Sequence, residues 1–137
     1  MRIVAPSCKE QLGPLRERLR KVLLHPRLSA AAVQEIVLAA HEAAVNAMVH
    51  GNRLDAARTI RLEVAALEHG IEVCVADEGE GFDWRRWLRH LETDGVAPDS
   101  PGGRGILVMV RLMDRVLYNA SGNVVHLLKR YDLPERA

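Results

Sequence analysis

Apolar and polar positions alternate along this chain with two distinct periods. From Ala30 to His50 the apolar residues recur at helical spacing, with Val33, Ile36, Val37, Ala40, Ala44, Ala47 and Met48 on one face at about 100° per residue. Leu38, Val45 and Val49 lie on another flank, which predicts a helix buried around most of its girth. Ser29 is placed to cap its start, and Gly51 to stop it. Before it, Leu12, Leu15, Leu19, Val22 and Leu23 predict a first helix, preceded by the capping-box pattern Ser7-Cys8-Lys9-Glu10. Gly13-Pro14 requires that helix to kink, or to begin with Pro14 in its first turn. Its outer face carries Arg16, Glu17, Arg18, Arg20 and Lys21.

Strand periodicity takes over elsewhere. Arg2–Ala5 reads as a short edge strand. Thr59–Val64 and Ile71–Ala76 alternate as half-buried strands should, and Glu68-His69-Gly70 joins them as a hairpin turn. Two further strands, Arg115–Ala120 and Val124–Arg130, flank the turn Ser121-Gly122-Asn123. Between the strand pairs, Asp83 is placed to cap a short helix with Trp84, Trp87, Leu88 and Leu91 along one apolar edge. Thr93–Pro101 is polar, rich in Gly and Pro, and expected to be mobile; together with the short helix, the stretch Asp83–Pro101 would act as a lid. Long helices beside antiparallel hairpins predict an α+β sandwich in a single domain, residues 1–137.

Composition narrows the partners. At 137 residues, 48% apolar and 27% charged, the chain has the make-up of a globular protein with a real core. A formal net charge of +1 supplies no basic field for nucleic acid. The most apolar stretch carries glutamates and histidines, which excludes it as a membrane span, and the N-terminus lacks a hydrophobic leader. Cys8 and Cys74 show no metal-ligand spacing and read as thiols, so the expected compartment is the cytoplasm.

The candidate chemistry sits on the long helix. Glu42, Asn46 and His50, at successive i,i+4 positions, form a narrow polar stripe that Glu35 extends. A carboxylate and a carboxamide on an apolar helix need satisfying, either by core hydrogen bonds or by a ligand or metal. His41-Glu42 begins like a zincin motif, but Val45 stands where the second histidine is needed. His41 and His50 lie about 180° apart around the helix and cannot share a metal. Neither a Walker A sequence nor a Gly-x-Ser-x-Gly elbow is present. Two further motifs follow in order. Asp77-x-Gly79-x-Gly81 ends a strand in a loop made for close backbone approach. Gly103-x-Gly105 opens an apolar helix, a ready anion site.

This ordered set resembles the GHKL ATP-binding family, which includes DNA gyrase and sensor histidine kinases. EAAVNAMVHGN (residues 42–52) and GGRGILVMV (residues 102–110) are most similar to the small anti-sigma-factor serine/threonine kinases of bacterial partner switching. The resemblance implies the GHKL (Bergerat) two-layer α/β sandwich, with a mixed, mostly antiparallel sheet covered on one face by helices. It implies ATP and Mg²⁺ as cofactors, with Asn46 as the magnesium ligand and Glu42 as the general base. Asp77 would accept from the adenine amino group, with Gly79 and Gly81 presenting bare backbone to the base. Gly103 and Gly105 would wrap the phosphates, and Arg104 would counter their charge. His50 is left with a hydrogen bond in the core or at the helix end. Family members often carry threonine in the last strand near the adenine, where this chain has Val124-Val125-His126. The implied activity is phosphorylation of an anti-sigma-factor antagonist, with a sigma factor as a second partner and a homodimer allowed. The charges of the basic face around Arg16 and Arg20 make it the expected docking site for the phosphoacceptor protein. A switch kinase without sigma binding, or a non-catalytic ATP-sensing module, are the alternatives.

Overall fold

The computed structural model describes residues 1–93 and 103–135. Five strands form one sheet in the order β1-β2-β3-β5-β4: β1 (Arg2–Pro6), β2 (Thr59–Ala66), β3 (Gly70–Ala76), β4 (Arg115–Tyr118) and β5 (Val124–Arg130). All four pairings are antiparallel, so the sheet expected to be mixed and mostly antiparallel is antiparallel throughout the described residues. Alternation along the strands puts Ile3, Ile60, Leu62, Val73, Val75, Val125 and Leu127 on the buried face. Arg61, Glu63, Glu72, Cys74 and His126 occupy the other.

The buried face is covered by α1 (Leu12–Val22), α2 (Ala30–Asn46) and α4 (Gly103–Leu112), which share one core with the sheet. Leu15, Leu19 and Leu23 are the inward positions of the first amphipathic helix, and Val22 turns out to solvent. Pro14 does fall in the first turn of α1. The expected capping box does not form. A 3₁₀ turn, Lys9–Gln11, leads into the helix, and neither start carries a side-chain cap. Ser7 is committed elsewhere: its hydroxyl donates to the Arg58 carbonyl (3.1 Å) and accepts from Asn52 Nδ2 (2.7 Å).

Ser29 caps α2 as expected, accepting from the Ala32 N–H at 3.1 Å. Its own N–H donates to Asp132 Oδ1 (2.8 Å), which ties the C-terminal segment to this helix start. The helix is less enclosed than its composition implies, because Leu38 is 43% exposed. Its end differs too. After Asn46 the backbone opens into a π-helical turn, Ala47–Gly51, closed by Asn52 N–H to Ala47 O at 2.8 Å. Arg53 and Leu54 follow in the left-handed region, at φ 54° and 57°. Leu54 N–H is held by Met48 O at 2.8 Å.

Asn52 locks this junction. Only 1% exposed, it donates to Ser7 Oγ and to Thr59 O (2.9 Å), and it accepts from the Glu78 N–H (2.8 Å). The end of α2, the start of β2 and the loop after β3 therefore meet at one amide. Asn52→Ala removes three hydrogen bonds, one of them fully buried, and should lower unfolding free energy by about 2–3 kcal/mol in urea titration. A loss below about 0.5 kcal/mol would contradict this account.

Candidate functional site

Three elements converge at one end of the sheet: the C-terminal half of α2, the loop after β3, and the start of α4. Between the first two and the β4–β5 turn lies a small cleft, partly open to solvent. Its walls include Asn46, Gly51, Asp77, Tyr118, Val124 and Val125.

Asp77 stands where β3 ends. Its Oδ1 accepts from the Gly79 N–H (2.8 Å), and its carboxylate lies directly against Gly51. A Cβ on Gly51 would come within 2.3 Å of that carboxylate, so only glycine allows the approach. Burial raises the Asp77 pKa above its ordinary value, opposed by the Gly79 hydrogen bond and the charge of Arg58. Gly79 and Gly81 answer to the protein itself. A Cβ on Gly79 would meet Gly51 O at 2.1 Å. Gly81, at φ +85°, has its α-carbon against Ser121 O, 1.7 Å from a would-be Cβ. Both therefore shape the loop, and neither is among the residues lining the cleft.

The β4–β5 turn completes that wall. Asn119 Oδ1 accepts from the N–H groups of Gly122 (2.8 Å), Asn123 (3.0 Å) and Val124 (3.2 Å). Asn123 O in turn accepts from the Asp77 N–H at 2.9 Å. Trp84, the first residue of α3 (Trp84–Thr93), donates its indole N–H to Asn119 O (2.9 Å) and stacks on Tyr118. Asp83 Oδ1 accepts from the Arg86 N–H, 3.3 Å away, and so caps α3 as expected. Trp84 thus packs onto the body. Of the stretch Thr93–Pro101 expected to be mobile, all but Thr93 lies outside the described residues.

At the other end of the cleft, Glu42 and Asn46 project together toward Gly105, in the first turn of α4. A Cβ on Gly105 would sit 3.2 Å from Glu42 Oε2, and 3.1 and 3.4 Å from Asn46 Nδ2 and Oδ1. Bare backbone lets the helix start approach the pair. Gly103 opens the same helix, and Arg104 is exposed beside it. Glu42 is half-buried, not fully enclosed as an all-apolar helix implies. His50 is largely exposed in the π turn, and partial desolvation of its ring lowers its pKa. Glu35 leaves the stripe to pair with Lys129 Nζ (2.7 Å), which also donates to Leu112 O at the end of α4.

The basic face of α1 is more engaged than its sequence implies. Arg16 donates to His41 Nδ1 at 3.0 Å, which requires the ring proton on Nε2. Burial and the Arg16 charge both lower the His41 pKa, against the pull of Glu42. Arg20 pairs with Glu17. Arg18 and Lys21 remain exposed. Cys8 and Cys74 are free thiols, half-buried rather than enclosed.

Among the described residues no three His, Cys, Asp or Glu side chains gather as a metal cluster. A cation here would rest on one protein oxygen and take the others from phosphates and water, the usual habit of magnesium. The residues present fit that demand: Asn46 offers a neutral amide oxygen, and its buried Nδ2 has no partner. Asn52, Asn119 and Tyr118 are site-building residues that periodicity did not single out, and Gly51 was marked only as a helix stop. The clustered turn residues 119–123 were a signal for Asn119, and the 42–52 stretch contained Gly51 and Asn52.

Known proteins agree with this geometry. The model of the histidine kinase-like ATPase domain matches residues 5–129, and the chain belongs to that family. Particular relatives are serine-protein kinases. That named RsbW from Bacillus subtilis (strain 168) is 30% identical over 129 residues, covering 90% of this chain and 81% of its own. The RsbW kinase of Oceanobacillus iheyensis is 28% identical over 92% of this chain and 82% of its own. That of Staphylococcus epidermidis is 25% identical over 90% and 82%. The expected resemblance to the GHKL fold is thereby borne out. No helix among the described residues is long and apolar enough to cross a membrane.

The raised pKa of Asp77 carries a sign. Between the ordinary value of 3.8 and the raised one, the folded state binds the proton more tightly, so stability falls as pH rises through that window. Asp77→Asn keeps the acceptor for Gly79 and removes the charge. Denaturation at pH 7 should find it at least as stable as the parent, with the difference shrinking below pH 3.8. A variant clearly less stable than the parent at pH 7 would oppose this.

Proposed function

We propose that this chain is an ATP-dependent serine/threonine protein kinase that acts as an anti-sigma factor and phosphorylates an anti-sigma-factor antagonist. The observation carrying the reading is the convergence of Glu42 and Asn46 on the glycine-opened start of α4, at the edge of the Asp77 cleft that Asn46 itself lines. The adenine amino group is assigned to Asp77, and apolar contact to Val124 and Val125 replaces the hydroxyl contact common in the family. The phosphates are assigned to the N–H groups around Gly103 and Gly105, with Arg104 beside them. Asn46 Oδ1 is the ligand for Mg²⁺, whose positive charge would favour the developing charge on the transferring phosphoryl group.

Glu42 takes the proton from an attacking serine or threonine hydroxyl. That oxygen bonds to the γ-phosphorus as the bond to the β–γ bridging oxygen breaks, and ADP leaves. The acceptor belongs to a second protein, and Arg18 and Lys21 on α1 are the exposed charges available to steer it.

Glu42→Gln keeps the shape and removes the base. With Mg-ATP and a candidate antagonist, it should bind nucleotide like the parent and lose phosphotransfer by about two to four orders of magnitude. Transfer at the parent's rate would refute the base role. A parent that binds ATP and phosphorylates no partner would make this a non-catalytic ATP-sensing module. Asn46→Ala should abolish the Mg²⁺ dependence of nucleotide binding in calorimetry, and retained dependence would place the metal elsewhere.

A further inference from the structure

The cleft holds two buried polar atoms without partners, Asn46 Nδ2 and Tyr118 Oη. Both belong to its lining, one on α2 and one at the end of β4, and the two side chains are neighbours. Native interiors rarely leave such atoms unmatched, and two in one cleft mark a place where a ligand completes the set. Tyr118 is well held for the purpose. Phe82 meets its ring edge-on (centroids 5.2 Å apart, 89°), and Trp84 stacks on it at 5.9 Å and 20°. Trp84 is itself fixed by the Asn119 carbonyl. Burial pushes the phenol pKa well up, and the nearby Asn46 amide offsets part of that effect, although the two groups do not reach hydrogen-bonding geometry with one another. A phenol hydroxyl offers both a donor and an acceptor.

An asparagine amide has two ends. Only its oxygen can face a cation, so its nitrogen must be turned toward an acceptor. The last strand supplies none here, because Val124 and Val125 stand on that wall. We propose that Tyr118 is a positioning residue of the nucleotide cleft: in the Mg-nucleotide complex its hydroxyl accepts from Asn46 Nδ2, directing Oδ1 to the metal, and donates its proton to the nucleotide or its bound water. The inference rests on the ATP-binding reading above and adds to it the group that sets the Asn46 orientation.

Tyr118→Phe tests it, since the ring packing against Phe82 and Trp84 is kept. Nucleotide binding is followed by calorimetry with a non-hydrolysable ATP analogue, across a Mg²⁺ titration and in EDTA. The variant should bind the Mg-analogue about tenfold more weakly, the worth of one good hydrogen bond, and need more Mg²⁺ for half-maximal binding. Affinity in EDTA should change less. Its melting temperature should stay equal or rise, because an unmatched buried hydroxyl has been removed. A merely structural tyrosine would show the reverse, a lower melting temperature with unchanged Mg²⁺ dependence, and that result would overturn the proposal. In an Asn46→Ala background, Tyr118→Phe should add nothing to the Mg²⁺ response; additive effects would also overturn it. A parent that binds no analogue in any condition would remove the ATP reading and this inference together. A parent that binds, with a variant indistinguishable from it, would remove this inference alone.

Discussion

The site depends on one close approach, the carboxylate of Asp77 against the α-carbon of Gly51. That contact fixes the distance between the end of α2 and the end of β3, and it leaves no room for a single methyl group. Everything around it keeps the two segments pressed together. Gly79 lies under the Gly51 carbonyl, Asn52 joins the helix end to the loop through Glu78, and the Asn123 carbonyl holds the Asp77 N–H from the opposite side. A carboxylate thereby stays half out of water, facing a cleft with apolar walls. Such a group hydrogen-bonds a donor more strongly than the same group in bulk solvent.

The two ends of the cleft do different work and are joined by α2. Asp77 and the valines of β5 form a shaped, mostly apolar end. Glu42 and Asn46 form a polar end under α4. Since α2 is one rigid rod from Ser29 to Asn46, the polar pair cannot shift without moving the capped start of the helix or the Glu35–Lys129 tie. Lys129 reaches Leu112 O as well, so β5, α2 and the last turn of α4 share one cation. Charge at a helix C-terminus is favourable there, and it helps to keep the glycine-opened N-terminus of α4 aimed at the cleft.

Much of this was legible from residue order. Period and punctuation sufficed for β1, both hairpins, and the Ser29 and Asp83 caps, and they left Pro14 a choice between a kink and the first turn of α1, which the fold decided for the latter. Glu42, Asn46, Asp77 and Gly105 were singled out because each breaks an otherwise local rule: polar groups on an apolar helix, and glycines where structure begins or ends. What escaped was decided by tertiary competition. The capping box at Ser7 is locally plausible, yet Asn52 claims that hydroxyl from 45 positions away. The outward charge of Arg16 is turned inward by an unprotonated His41. Gly79 and Gly81 carry no mark that would tell a ligand's demand from the demand of a neighbouring carbonyl. Tyr118 was hidden by its strand, where an alternating aromatic looks like ordinary core.

The π turn at Ala47–Gly51 has a consequence of counting. An α-helix advances about 100° per residue, so one residue more or fewer redirects every side chain beyond it. The wide turn takes up one residue in excess, and the spare position is what swings Gly51 onto Asp77 while Asn46 still faces α4. The spacing between these motifs is therefore as fixed as their identities. A one-residue deletion within Met48–His50 would leave a better-formed helix, with every motif still present in order, and no cleft.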